Sequence, residues 1–323
     1  MLKILLNAEI SPAPPFLLPH LWGGERLELG FAYDLFLMLI IYVKIAMTRG
    51  KSAGVRSVHT TKASQRLHAG DLVYAYIVGL FEGDGYFSIS KKGEYLTYEL
   101  GIELSIKDVQ LIYKIKKLLG VGLVSFRNRN GIEMVAIKIR NKSHLKEFII
   151  PIFDKYPMFS CKQHDYIRFK SALTCNIIYS KDLPQYFRYK NESINSIDSI
   201  INAPYFSAWL IGFIEAEGCF SIYKLEKNKD FLVASFDIAQ KKEETLIVAI
   251  RKYLSFSTTV FKDKYSSFKL KASGVRSIGN MVKFIDKAPV KLLGNKRLQY
   301  LLWIKQLRKI PRYSEKIKIP LNY

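Results

Sequence analysis

Val78-Gly79-Leu80-Phe81-Glu82-Gly83-Asp84-Gly85 decides the fold, because the pattern occurs twice. The second copy is Ile211-Gly212-Phe213-Ile214-Glu215-Ala216-Glu217-Gly218. Each is an apolar run that ends in acid, small residue, acid, glycine. Each leads into an aromatic-rich alternating stretch, Tyr86-Phe87-Ser88-Ile89 and Cys219-Phe220-Ser221-Ile222. Read as helices, the copies place Ala75, Gly79 and Gly83, and Ala208, Gly212 and Ala216, on one face each, a spacing that lets two helices meet at backbone distance. The large residues Tyr76, Leu80, Phe81, Trp209, Phe213 and Ile214 lie on other faces and enter the core of each half. Packed together, the small-residue faces bring Asp84 and Glu217 side by side at the helix ends, where Gly85 and Gly218 turn the chain out.

Two adjacent carboxylates repel unless something cationic lies between them. Mg²⁺ is suited to that place, since it typically takes one or two carboxylates with phosphate oxygens and water. A metal so held activates water and stabilises a leaving oxygen in phosphodiester hydrolysis. The competing reading is a plain helix pair with two solvated acids. The repeat weighs against it, because it runs well past the motif. Glu103-Leu104-Ser105-Ile106-Lys107 matches Asp237-Ile238-Ala239-Gln240-Lys241, and an amphipathic helix follows each. Pro157, Lys162 and Tyr166 match Pro289, Lys296 and Tyr300. A duplicated half of this size implies a pseudo-two-fold fold.

These residues resemble the LAGLIDADG homing endonucleases of the double-motif class, from about Asp71 to Tyr323. Within that family they look most like the bifunctional endonuclease-maturases of fungal mitochondrial cytochrome b introns, through the two motifs and Arg312-Tyr313-Ser314-Glu315-Lys316-Ile317-Lys318. The resemblance implies an α+β fold of two αββαββα halves, each with a saddle of antiparallel strands for the DNA major groove. It implies Mg²⁺-dependent double-strand cleavage of a long DNA target by a monomer. Asp84 and Glu217 would bind metal, with the backbone of Gly83 and Ala216 beside them. Lys162, Lys296 and Gln240 match the family's basic and polar positions. Ile106, taken as the first-half counterpart of Gln240, cannot hold a metal-bound water, so the two strand-cleaving sites are expected to be unequal. A maturase role on the chain's own group I intron RNA, and a mitochondrial location, follow from the same resemblance. The alternative is an RNA-binding maturase without nuclease activity, which needs the basic surface but not both acids. A DNA-binding regulator on the same fold would need neither acid.

Composition agrees. Among 323 residues, Lys and Arg number 50 against 28 Asp and Glu, a net charge of +22. That excess calls for a polyanionic partner and exceeds what solubility requires. Hydrophobic residues at 49% and aromatics at 13% argue for a real core instead of a disordered basic arm. The three cysteines and five histidines have no disulfide or zinc spacing.

Residues 1–70 read as a leader, disordered or removed. Pro12, Pro14, Pro15 and Gly23-Gly24 break regular structure, and 35–70 are acid-free and basic. Phe31 to Met47 is apolar but interrupted by Asp34 and Lys44, and falls short of the ~20 residues of a membrane span. No stable membrane association is expected. Residues 71–177 form the first domain, 178–204 a polar linker and 205–323 the second domain. Asp108 is expected to cap the helix carrying Ile112, Ile115 and Leu119. His144 to Phe153 is expected to be a helix stopped near Pro151. Asn130-Gly131 marks a hairpin turn. Strands are expected over Thr259 to Asp263 and Ser267 to Ala272, and the basic stretch Lys305 to Lys318 on the surface. Arg127 with Arg129, Lys138 with Arg140, Lys262 with Lys264, and Lys269 with Lys271 stand two apart in strand patterns, hence on one face. A two-stranded ribbon fits the major groove, where such cations read guanine or hold phosphate.

Overall fold

The computed structural model describes residues 69–187, 195–225 and 228–321. The expected leader and its apolar stretch lie outside them, apart from Ala69 and Gly70, which begin α1 (Ala69–Asp84). The first half continues with β1 (Gly85–Lys92), β2 (Tyr95–Ser105), α2 (Val109–Leu119), β3 (Leu123–Arg129) and β4 (Ile132–Ile139). Helices α3 (Lys142–His144) and α4 (Ile150–Lys155) follow, then α5 (Lys162–Thr174). After α6 (Ile197–Ile201) the second half repeats the order: α7 (Phe206–Glu217), β5 (Cys219–Leu225), β6 (Asn228–Lys241), α8 (Glu244–Tyr253), β7 (Phe261–Lys262), β8 (Ser267–Ala272), α9 (Val275–Lys287) and α10 (Asn295–Leu307), with a last turn α11 (Pro311–Ser314). Two antiparallel four-stranded sheets result, ordered β1-β2-β4-β3 and β5-β6-β8-β7.

Local chemistry accounts for the turns. Asn130 and Gly131 take φ 52° and 82° between β3 and β4, and the Asn128 side chain accepts from Gly131 N at 2.9 Å. Gly120 ends α2 at φ 70°, its N–H bonded to Lys116 O. Each sheet buries one face. Leu100, Ile102, Val135, Ile137 and Ile139 alternate inward in the first sheet, and Ile238, Leu270 and Ala272 in the second. The amphipathic helices α2, α8 and α9 cover these faces with Ile112, Ile115, Ile247, Ile250, Ile278 and Met281.

The halves join through α1 and α7. A Cβ on Gly79 would stand 2.0 Å from the Trp209 carbonyl oxygen, and one on Gly212 1.9 Å from that of Tyr76. Only glycine allows the two backbones this approach. Ala75 and Ala208 are fully buried on the same faces, as their spacing predicts.

Four expectations are corrected. The linker is not wholly irregular: α6 is capped by Ser196, whose side chain accepts from Ser199 N at 3.1 Å, and buries Ile200. Pro151 does not stop its helix. A π turn over Leu145–Ile149 precedes it, and that wider turn absorbs the missing N–H and the bulk of the ring. Only Phe261–Lys262 of the Thr259–Asp263 strand pairs with β8, because Asp263 Oδ1 instead accepts from Tyr265 N and Ser267 N to build a turn. The terminal basic stretch is anchored as well as exposed. Leu307, Ile310, Tyr313 and Ile317 are buried, and Tyr313 Oη accepts from Ala234 N at 3.0 Å.

Candidate active site and nucleic-acid face

Asp84 and Glu217 end α1 and α7 together. A Cβ on Gly83 would stand 2.3 Å from Ala216 Cβ and 3.2 Å from Glu217 Cγ, so the two helix ends abut and Glu217 emerges over the end of α1. Desolvation by the surrounding protein pushes both carboxyl pKa values up, and Asp84 raises that of Glu217 further. Lys162 and Lys296 oppose this for both acids. Gln240 hydrogen-bonds Glu217. Lys162 Nζ donates to the carbonyls of Phe81 at 3.1 Å, Gly83 at 3.1 Å and Gly85 at 2.7 Å, and Lys296 Nζ to that of Gly218 at 2.6 Å. Thus all five side chains singled out by sequence, with Gly83 and Ala216, surround one point between the halves. Two carboxylates, one of which adds to the desolvation of the other, offer oxygen donors of the kind that hard divalent cations take.

The pairing of strands corrects one assignment. Tyr86 pairs with Gly101, and Cys219 with Asp237. Counting from there, Leu104, not Ile106, takes the place that Gln240 has in the second half. Strand β2 ends at Ser105 and Ile106 lies in a following 3-10 turn, whereas β6 runs on through Gln240 to Lys241. An ungapped comparison of the halves hides this, because their β-hairpins differ in length. The first site still has an apolar residue where the second has an amide.

The first acids of each motif, Glu82 and Glu215, were missed as site elements. Both are buried. Glu82 accepts from Phe159 N at 2.9 Å, from Ser160 N, and from Trp209 Nε1 of the other half at 2.7 Å. Glu215 accepts from Leu293 N at 2.8 Å and from Tyr76 Oη of the other half at 3.0 Å. Tyr76 and Trp209 therefore do not stay within their own halves. Burial pushes the Glu82 carboxyl up to about 7 against the pull of Ser160, Trp209 and Lys162. The signal in the sequence was present: Glu82 and Tyr76, like Glu215 and Trp209, stand six apart in each copy. Asp108 is also corrected. It occupies the N-cap position of α2 but makes no cap bond there, and accepts from Asn295 N of the other half at 2.7 Å.

Outside the acids, the first sheet carries Arg127, Arg129, Lys138 and Arg140 on the face opposite the core. Arg127 pairs with Met134 and Lys138 with Gly101, out of phase with the buried Val135, Ile137 and Ile139. Arg127 approaches Glu103 at 3.9 Å, and Arg140 bonds Glu99. Lys269 and Lys271 hold the matching face of the second sheet, each near an acid: Asp263 at 2.9 Å and Asp237 at 3.8 Å. Lys262 does not join them. It pairs with Phe268, in phase with buried Leu270, and Phe261 takes its place opposite Lys269. Lys264 lies in the turn, over the Tyr265 ring. Among the described residues no group of three or more His, Cys, Asp or Glu forms a metal cluster, and no helix is long and apolar enough to cross a membrane.

A duplicated α+β fold whose halves share one pair of helix-end carboxylates, with a basic strand face on each side, defines the class. The model of the LAGLIDADG endonuclease family matches residues 77–173 and 210–307, and the chain belongs to that family. A probable intron-encoded endonuclease, Cox1-I1b, of Schizosaccharomyces pombe is 30% identical over 264 residues, 75% of this chain and 66% of the relative. The uncharacterized mitochondrial protein RF1 of Saccharomyces cerevisiae is 30% identical over 195 residues, 57% of this chain and 39% of RF1. The chain thus spans two thirds or less of these relatives. Neither is named for a cytochrome b intron. The solved structure of I-SmaMI bound to uncleaved DNA target in the presence of calcium ions shares the fold, with a TM-score of 0.62 at 19% identity over 75% of this chain and 92% of that one.

Proposed function

We propose that this chain is an intron-encoded, site-specific endonuclease that makes a Mg²⁺-dependent double-strand break in intron-lacking DNA. The observation that carries this reading is the meeting of Asp84 and Glu217 at abutting helix ends between Lys162 and Lys296. Asp84, Glu217 and the backbone oxygens at Gly83 and Ala216 would hold the metal, which supplies a Lewis acid and an activated water. The protein's own groups do the rest. Lys162 and Lys296 stand where charge develops on the scissile phosphates, and Gln240 orients one side of the site. Arg127, Arg129, Lys138, Arg140, Lys269 and Lys271 hold the duplex across the two sheets, exchanging Glu103, Glu99, Asp263 and Asp237 for phosphate or base edges. The protein acts as a monomer, since one chain supplies both halves of the site. It also assists splicing of its own group I intron RNA, and it works in the mitochondrion; similarity to a probable intron-encoded endonuclease supports the first and similarity to a mitochondrial protein the second.

The test is cleavage of the intron-lacking host-gene junction, with and without Mg²⁺, by wild type, Asp84→Asn and Glu217→Gln. Metal-dependent double-strand cutting by wild type, lower by at least about 10²-fold in each variant, is expected. Cutting that persists in both variants would remove Asp84 and Glu217 from the active site; tight binding of that DNA by wild type without cleavage would sink the endonuclease reading and favour the maturase alone.

A further inference from the structure

We propose that Asp108 and Glu243 are positioning residues that act across the pseudo-two-fold axis, each holding the start of the helix that carries the other half's active-site lysine. The inference rests on the reading that Lys162 and Lys296 serve the cleavage site.

Both acids have given up their local task. Each stands at the N-cap position of its own helix, Asp108 before α2 and Glu243 before α8, and neither caps it. Asp108 Oδ1 accepts instead from Asn295 N at 2.7 Å, one residue before Lys296. Glu243 Oε1 accepts from Cys161 N at 2.8 Å, one residue before Lys162. The helices so held, α5 and α10, have no side-chain cap of their own. Lys162 N is met by Ser160 Oγ at 3.3 Å, but the Cys161 and Asn295 amides just ahead of the lysines take their acceptor from the other half. Each helix also carries its lysine in the first turn, Lys162 at the first position of α5 and Lys296 at the second of α10, a cation placed against the positive end of the helix dipole. A carboxylate from the opposite half answers both problems at once.

The buried motif acids complete the clamp. Glu82 takes the amides of Phe159 and Ser160, and Glu215 that of Leu293, so carboxylates from both halves grip the backbone leading into each lysine. Gly294 shows how tight this is. A Cβ there would stand 2.5 Å from Asp108 Oδ1 and 2.9 Å from Glu215 Oε1. A contact that merely joined the halves would have no reason to fall beside the lysine in both. The consequence is cross-wired: damage in one half should loosen the lysine of the other.

The experiment measures lysine reactivity in the full chain. Wild type, Asp108→Ala and Glu243→Ala are labelled with a limiting amine-reactive succinimidyl ester, and peptides bearing Lys162 and Lys296 are quantified by mass spectrometry. Asp108→Ala should speed labelling of Lys296 about tenfold and leave Lys162 unchanged, with the reverse for Glu243→Ala, the size expected for loss of one charge-assisted hydrogen bond. Exposure of the same-half lysine, or of both alike, overturns the proposal. If an alanine variant does not fold by circular dichroism, Asp108→Asn and Glu243→Gln decide. They keep an acceptor but lose the charge, and should shift the same lysine about threefold; no selective shift overturns the proposal. A second readout is nicking of a supercoiled plasmid bearing the intron-lacking junction, where the strand slowed by Asp108→Ala should be the one slowed by Lys296→Met. Bias toward the other strand counts against the positioning role. A wild type that cuts neither strand refutes the endonuclease reading, while the labelling result still decides the positioning role.

Discussion

The first half holds its lysine against three backbone carbonyls, and the second half holds its lysine against one. The first half places apolar Leu104 where the second offers Gln240 to its carboxylate. The helix pairing, by contrast, is the same on both sides down to the carbonyl that each glycine meets. Duplication has preserved what the shared axis requires, and the two halves differ where only one carboxylate is affected. The backbone contact is common property, since neither half can change it alone. A polar side chain beside one carboxylate is private to its half.

The largest effect should come from the shared part. Gly79→Ala and Gly212→Ala each drive a methyl into a carbonyl oxygen of the opposite helix. Each should cost about 3 kcal/mol or more, or prevent folding. Equal losses in urea denaturation would bear out the symmetry, and a tolerated alanine at either position would break it. Next come the lysines. Lys162→Met leaves three carbonyls without their donor and Lys296→Met one, so the first should lower stability by about 2 kcal/mol and the second by about 1. Equal losses would mean that the difference in hydrogen bonding is without weight.

Smaller again is the difference at the carboxylates. Gln240→Leu should slow cleavage of one strand about tenfold, and Leu104→Gln should speed the other, so that strand bias falls from both directions. Single-turnover nicking measures it, and a bias that does not move would assign the inequality to something else. The smallest effect concerns Glu99 on the basic face. Burial tends to raise its pKa, but the Tyr86 hydroxyl and Arg140 outweigh that and hold it below the usual range. A depressed carboxyl contributes stability above its ordinary pKa and loses it as pH falls through the folded-state value. Glu99→Gln should therefore flatten the acid side of the stability curve by less than about 1 kcal/mol, since the pair is partly exposed. A steeper acid side would reverse the sign.

Much of this was legible in the chain. The glycine and alanine spacing predicted the helix contact, because backbone proximity demands absent side chains and leaves a pattern at fixed intervals. The last acids and the lysines were legible as repeated residues, whereas Gln240, whose counterpart is apolar, was named through the resemblance to the family. Arg127, Arg129, Lys138, Arg140, Lys269 and Lys271 were legible because alternation along a strand is local. Lys262 was misread, since its face depends on where the strand begins to pair, and Asp263 settled that by building a turn. Leu104 was missed for the same reason: register across a hairpin depends on loop length.

What local sequence could never show is which partner a polar group chooses. Asp108 beside its own helix is a cap by every local rule, and only the folded molecule presents it with Asn295 from 187 residues away. Glu82 and Glu215 stand in the last turns of apolar helices, and only the fold brings each a partner from the other half, Trp209 and Tyr76. The sequence alone determined the duplicated fold, the paired carboxylates and the basic strand faces, since these follow from periodicity and composition. Tertiary structure alone decided the register of the strands and the carboxylate contacts that cross between halves, since hydrogen bonds are won by whichever donor the packing brings within reach.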